Sequence, residues 1–283
     1  MVMSSKRVVA AVAAMTSLMA AAGAGHAAVV SIGLNFNASN SGRTGAPYNL
    51  DSTPPGLTAG VVAQNNWNDL SGNSQTSPSS PFQDSTGAAT TATATWSGAD
   101  TWGTYGSSQS SADLQLLNGY LDNHHQTLSA ATVTVSNIPY ATYEVIAYVN
   151  SDHLNTNSNA SFGNIALSGA SSGNATYYYT AIGPVSYTSA QLAAGAEYIQ
   201  TTATSDAGSG NPVADYAIFT GVTGNSFTLT NSAEGAAGSG DNTGLAGFQI
   251  VETTATPEPA SMGLLAVGAL GLLLLKRRNQ SIV

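Results

Sequence analysis

The chain contains no cysteine. That excludes a disulfide framework, thiolate nucleophiles and cysteine-based metal sites. Positive charge is nearly missing from the middle of the sequence. Between Ala28 and Thr256 the only basic residue is Arg43, against fourteen carboxylates, a formal charge of −13. Nucleic acid is therefore excluded as a partner, because its recognition needs lysine and arginine to neutralise phosphates. A polybasic attachment to anionic lipid is excluded for the same reason. Charge of either sign is scarce, at 7% of residues. The carboxylates either keep a Ser/Thr/Asn/Gly-rich surface in solution or meet a cation such as Ca²⁺. No internal repeat is evident, helix-period segments are nearly absent, and no Gly-x-Ser-x-Gly elbow is present for acyl transfer.

Hydrophobic residues make up 42% of the 283. Without the two terminal segments about 230 remain, enough for one large β domain or two small ones with a sizeable core.

The other five basic residues sit in those terminal segments: Lys6, Arg7, Lys276, Arg277 and Arg278. Lys6 and Arg7 precede an apolar stretch from Val8 to Ala24, and Gly25-His26-Ala27 follows with small residues where a signal peptidase reads. This is the layout of a secretory signal peptide, residues 1–27, with cleavage expected after Ala27. The alternative is an uncleaved membrane helix.

At the other end Thr256-Pro257-Glu258-Pro259-Ala260-Ser261 leads into the apolar run Met262–Leu275, and Lys276-Arg277-Arg278 follows. The two prolines around Glu258 hold the backbone extended and accessible to a processing enzyme. A helix over 261–275 spans roughly 22 Å, short against a hydrocarbon core of about 30 Å. It suits a temporary hold in the membrane, and the basic cluster acts as the membrane stop on the cytoplasmic side. Pro-Glu-Pro, apolar helix and basic cluster, in that order, resemble the PEP-CTERM sorting signal. The resemblance covers Thr256 to Gln280, with residues 257–280 as the sorting signal, and implies an exosortase, with signal peptidase, as processing partners. Pro257, Glu258 and Pro259 are then the sorting motif. An ordinary single-pass anchor behind a proline-rich stalk is the competing interpretation.

Between the signals the chain reads as about ten short strands separated by turn clusters. Ile32, Leu34 and Phe36 alternate with small or polar residues. Thr91–Trp96, Ala131–Val135, Tyr143–Val149, Ala160–Leu167, Thr176–Ile182, Tyr198–Ala203, Tyr216–Thr220, Ser226–Thr230 and Ala246–Glu252 are further candidates. Tyr143–Val149 is apolar on both faces, as a central strand is. The turn Asn137–Thr142 predicts a hairpin between it and Ala131–Val135. Leu114–Leu121 is either a helical turn or a strand, and Gln191–Ala196 is a candidate helical turn. Residues 43–85 are loop-rich, yet Val61–Leu70 around Trp67 reads as an ordered loop packed on the fold.

The expected class is all-β, an antiparallel jelly-roll-like β-sandwich over residues 28–252. Thr253–Thr256 tethers it to the sorting signal. The segments Gly60-Val61-Val62 through Asn66-Trp67-Asn68, Gly119-Tyr120-Leu121-Asp122 and Gly247-Phe248-Gln249-Ile250-Val251 resemble surface proteins of Planctomycetes and Verrucomicrobia-like bacteria. The last of them also resembles the closing strand of galactose-binding-like carbohydrate modules.

No catalytic residues emerge. Fourteen carboxylates allow many pairs for glycoside hydrolysis, and sequence selects none. Adjacent His124 and His125 point apart on a strand and chelate poorly together. No metal site or cofactor is expected beyond a possible structural Ca²⁺ at Asp241-Asn242 beside Glu234, where a solvated turn is the plainer reading. Sugar binding uses aromatic faces with amide side chains for the hydroxyls. Trp67 with Asn66 and Asn68, and Trp102 near Tyr105, have that chemistry; the alternative is that both tryptophans anchor loops. Trp96 ends an alternating strand and reads as core. The expectation is an exported, non-enzymatic surface or matrix protein. The sorting-signal resemblance implies association with exopolysaccharide. A carbohydrate-binding module is the alternative, and a polysaccharide hydrolase the remote one.

Overall fold

The longest strands are the ones that can bury both faces. The chain is described by a computed structural model over residues 29–37, 57–103, 111–123, 129–151, 161–181, 198–234 and 243–253. The signal peptide, the sorting signal with its helix 261–275, Arg43, Gln191–Ala196 and every histidine lie outside the described residues.

The strands are β1 (Ser31–Phe36), β2 (Asn68–Leu70), β3 (Ser74–Gln75), β4 (Thr93–Ser97), β5 (Asp100–Gly103), β6 (Gly119–Asp122), β7 (Ala131–Ser136), β8 (Thr142–Asn150), β9 (Ser161–Ser168), β10 (Ala175–Ala181), β11 (Tyr216–Thr223), β12 (Ser226–Ala233) and β13 (Gly244–Glu252). Among the described residues the short α-helix α1 (Ala112–Leu116) is capped by Ser111, whose hydroxyl accepts from the Leu114 amide. The strands form two sheets, an all-β sandwich. The first runs β11-β8-β13-β1-β2, with β6 beside the start of β13 and β5 beside β6; the second runs β10-β9-β12-β7-β4-β3. All pairs are antiparallel except β1 with β2.

The expected hairpin between β7 and β8 is a correction. β7 pairs with β12 and β4 in the second sheet, while β8 pairs with β11 and β13 in the first. Asn137, at φ 59°, turns the chain from one layer to the other. Tyr198–Ala203 is not a ladder strand either. It runs as a strap with Pro212–Asp215 along both sheet edges on one side. Tyr178 and Thr180 of β10 donate to Ala203 and Pro212, while Thr201 and Asp215 donate to Tyr216 and Ile199 beside β11. The strap covers two edges that would otherwise template another chain.

Tyr143, Val145, Ala147 and Val149 of β8 face the core between the sheets, and Ile146 and Tyr148 face the other way. Both faces of this central strand are therefore buried, as its composition requires. In β13, Leu245 and Phe248 reach the same core although three residues apart, because a bulge lies between Leu245 and Gly247. A Cβ on Gly247 would sit 2.4 Å from the Leu34 carbonyl oxygen, so the bulge needs glycine there.

At one end of the sandwich a buried polar chain links the layers. The Tyr179 hydroxyl is 2.7 Å from the Thr243 hydroxyl, Asn231 donates to Tyr179, and Asn123 donates to Asn231.

Candidate functional site

Trp67 lies on the outer face of the first sheet, over β1. Ser31, Gly33 and Asn35 point to that face, opposite Ile32, Leu34 and Phe36. Gly33 leaves room for what lies above it: a Cβ there would come within 2.4 Å of Gln64 and 2.8 Å of Trp67. The turn Ala59–Gln64 is closed by two backbone bonds of 3.1 Å and held down by side chains. Gln249 donates to the Val62 carbonyl at 2.6 Å and to Gln64 Oε1 at 2.8 Å. Tyr148 donates to Gln249 at 2.5 Å and accepts from the Val61 amide at 2.7 Å. Asp113 of α1 accepts from the Gly60 amide at 2.7 Å and from the Tyr198 hydroxyl at 2.6 Å. Burial, first, pushes the Tyr148 and Tyr198 hydroxyls well above the usual tyrosine range. Both stay protonated and donate.

This geometry removes Trp67 from the sugar-binding reading. Its side chain is 1% exposed, its Nε1 donates to the Gln64 carbonyl at 3.2 Å, and its ring packs edge-on against Tyr148 at 6.4 Å. No face is left for a pyranose ring. Asn68 is consumed as well. Its Nδ2 donates to the Gly33 and Gln83 carbonyls and its Oδ1 accepts from the Gln83 amide, each at 2.9 Å. The side chain thereby stands in for a neighbouring strand. Asn66, at φ 56°, donates to the Ser85 carbonyl at 3.0 Å and shapes a turn. Trp102 sits on β5, half-buried against the same apolar cluster as Trp67. The sequence saw aromatic and amide groups together and could not see that the amides were engaged by backbone. Trp96 is core as expected, 6% exposed and edge-on to Phe36 at 6.1 Å.

Among the described residues there is no lysine, arginine or histidine. Asp215, 2% exposed, accepts from the Ile199 amide at 2.8 Å through Oδ1, and its Oδ2 is buried with no partner among the described residues. Burial holds this carboxyl well above the usual range. Glu234 accepts from Asn164 at 2.8 Å. Partial burial, and then the charge of Asp206, raise its carboxyl. Asp206 is lowered, first by the Gly208 amide and then by Asn211. Among the described residues no three His, Cys, Asp or Glu are placed to hold a metal ion. Asp241 and Asn242 lie outside them, so only Glu234 of the possible calcium ligands is seen.

Sequence reasoning missed the second sheet's outer face. Its β4, β7 and β12 alternate buried apolar residues with outward threonine and serine, and pairing brings those hydroxyls into rows. Thr95 stands opposite Thr134, Thr134 opposite Thr228, and Thr228 opposite Ser168. Ser97, Thr132 and Thr230 form the next row, and Thr93, Ser136 and Ser226 the one before. Each strand's alternation was readable, but their register was not.

Residues 255–278 match the PEP-CTERM protein-sorting motif. The match takes in Pro257, Glu258, Pro259 and the basic stop Lys276, Arg277 and Arg278, all outside the described residues. No curated protein and no solved structure matches the chain. The motif marks an exported, sorted surface protein and implies processing by an exosortase. Among the described residues no helix is long and apolar enough to cross a membrane.

Proposed function

We propose that the protein is a non-enzymatic component of the cell surface or extracellular matrix, with the β-sandwich as exported cargo associated with exopolysaccharide. The sorting motif at residues 255–278 carries this reading. The apolar run 261–275 holds the chain in the membrane until the exosortase acts, and signal peptidase removes residues 1–27. The acidic middle of the chain favours a hydrated matrix over nucleic acid or anionic lipid. Asp215, the most buried carboxylate among the described residues, secures a backbone amide, a structural task.

Fractionation of the producing cells tests the reading. The protein is expected in the matrix fraction and to leave it when the exopolysaccharide is enzymatically removed. Recovery from the cytoplasm, or a matrix fraction that keeps the protein after polysaccharide removal, would contradict it.

A further inference from the structure

From the outer face of the second sheet we infer a binding site for an uncharged polysaccharide chain, formed by the hydroxyl rows and the groove at their end. The inference deepens the matrix reading above and rests on it. The groove, about 610 Å³ and open to solvent, has Thr90, Thr91, Thr93, Asn137 and Asn225 for its polar wall and Pro81 with Ile138 for its apolar one. Thr93 belongs at once to this groove and to the first hydroxyl row, with Ser136 and Ser226. Asn137 and Asn225 directly adjoin those two serines in sequence. Groove and rows are therefore one continuous surface.

Three features choose the ligand. First, charge: no outward position of the three rows and no groove residue is ionisable, on a chain whose middle carries −13. An anionic polymer meets the chain's net negative charge and no cation among the described residues to offset it, while a neutral one meets no such repulsion. Second, hydrogen-bonding type: hydroxyls donate and accept, and those of Thr90, Thr91 and Thr132, already donating to the Phe82, Asn137 and Ser97 carbonyls, present acceptors to sugar hydroxyls. Thr134 and Thr228 already show this across the strands, with their hydroxyls 2.9 Å apart. Third, spacing: strands lie about 4.8 Å apart, so a chain laid along one row meets a hydroxyl every ~4.8 Å, close to the length of one sugar unit. Adjacent strands also rotate by about 20–25°. The rows therefore follow a flexible chain and do not fit a flat crystalline lattice. With no aromatic in the rows or the groove, affinity there comes from many weak contacts along the chain.

The test uses the processed protein isolated from its host, as wild type and as Thr95→Val/Thr134→Val/Thr228→Val. Valine keeps the β-branched shape and removes the hydroxyls. Thr204→Val, an exposed threonine outside the rows, serves as the control. Each is run in native gels containing dextran, a neutral β-glucan, alginate or the host's own exopolysaccharide, with thermal unfolding to check the fold. The wild type and Thr204→Val should be retarded by a neutral glycan and not by alginate. The triple variant should bind about tenfold or more weakly, as three lost neutral hydrogen bonds imply, at an unchanged melting temperature. Equal retardation of variant and wild type, equal retardation by alginate, or no retardation by any neutral glycan overturns the site. So does a change of oligomeric state in the variant with glycan binding intact, which would assign the face to a second copy of the chain. Wild type and variant binding equally to the host's polysaccharide would sink this site and leave the matrix reading standing. Wild type failing to bind that polysaccharide would sink both.

Discussion

The hydroxyls of Tyr179 and Thr243 lie 2.7 Å apart, joining β10 of one sheet to the residue immediately before β13 of the other. Tyr179 is fully buried, and Asn231 donates to the same hydroxyl. Tyr179→Phe leaves the Asn231 amide without this acceptor and takes one of the Thr243 hydroxyl's two partners, the Asn150 carbonyl remaining. The expected cost is about 1–3 kcal/mol, read as a lower urea midpoint with an unchanged slope. An unchanged midpoint would mean that the link between the layers is not used.

Asp215 makes stability depend on pH. Burial raises its folded pKa above the unfolded value of about 3.9. Its contribution is therefore complete below that value and is lost as pH rises toward and through the folded pKa. Glu234, raised by partial burial and by Asp206, acts in the same direction. Asp215→Asn keeps an acceptor for the Ile199 amide and removes the titration. Melting temperatures from pH 4 upward should fall more steeply for the wild type than for the variant. Parallel curves would show that Asp215 does not titrate abnormally.

Trp67 is a packing residue. Trp67→Ala should cost about 3–5 kcal/mol and loosen the Ala59–Gln64 turn, seen as faster proteolysis within residues 57–67. A stable variant whose only defect is in sugar binding would reinstate the tryptophan site.

Gly33 supports the same turn from below. A methyl group at this position meets Gln64 at 2.4 Å and Trp67 at 2.8 Å. Gly33→Ala should destabilise by about 1–3 kcal/mol, as overpacking does, and raise proteolysis in the same turn. Wild-type stability would show that the turn can shift without loss.

Local pattern revealed much of this fold. The alternation in β1 correctly placed Ile32, Leu34 and Phe36 in the core, and the two apolar faces of β8 marked a central strand. Pairing was less legible. Asn137–Thr142 has the composition of a hairpin turn, but whether a turn returns a strand to its own sheet or passes it to the other depends on distant partners. The strap beside β10 and β11 was mistaken for a strand because its residues suit one. The sites were the hardest to read. Trp67, Asn66 and Asn68 have sugar-binding chemistry in sequence, and only the fold shows their polar atoms committed to Gln64, Ser85, Gly33 and Gln83. The hydroxyl rows are the converse case: ordinary strand residues that pairing brings into register.

The central claim is that this protein is exported and then processed at its tail. Mass spectrometry of the mature chain from its native host measures that directly. The account predicts a chain that begins at Ala28 and ends within residues 257–259. An intact chain ending at Val283 would contradict it and make the tail a plain membrane anchor.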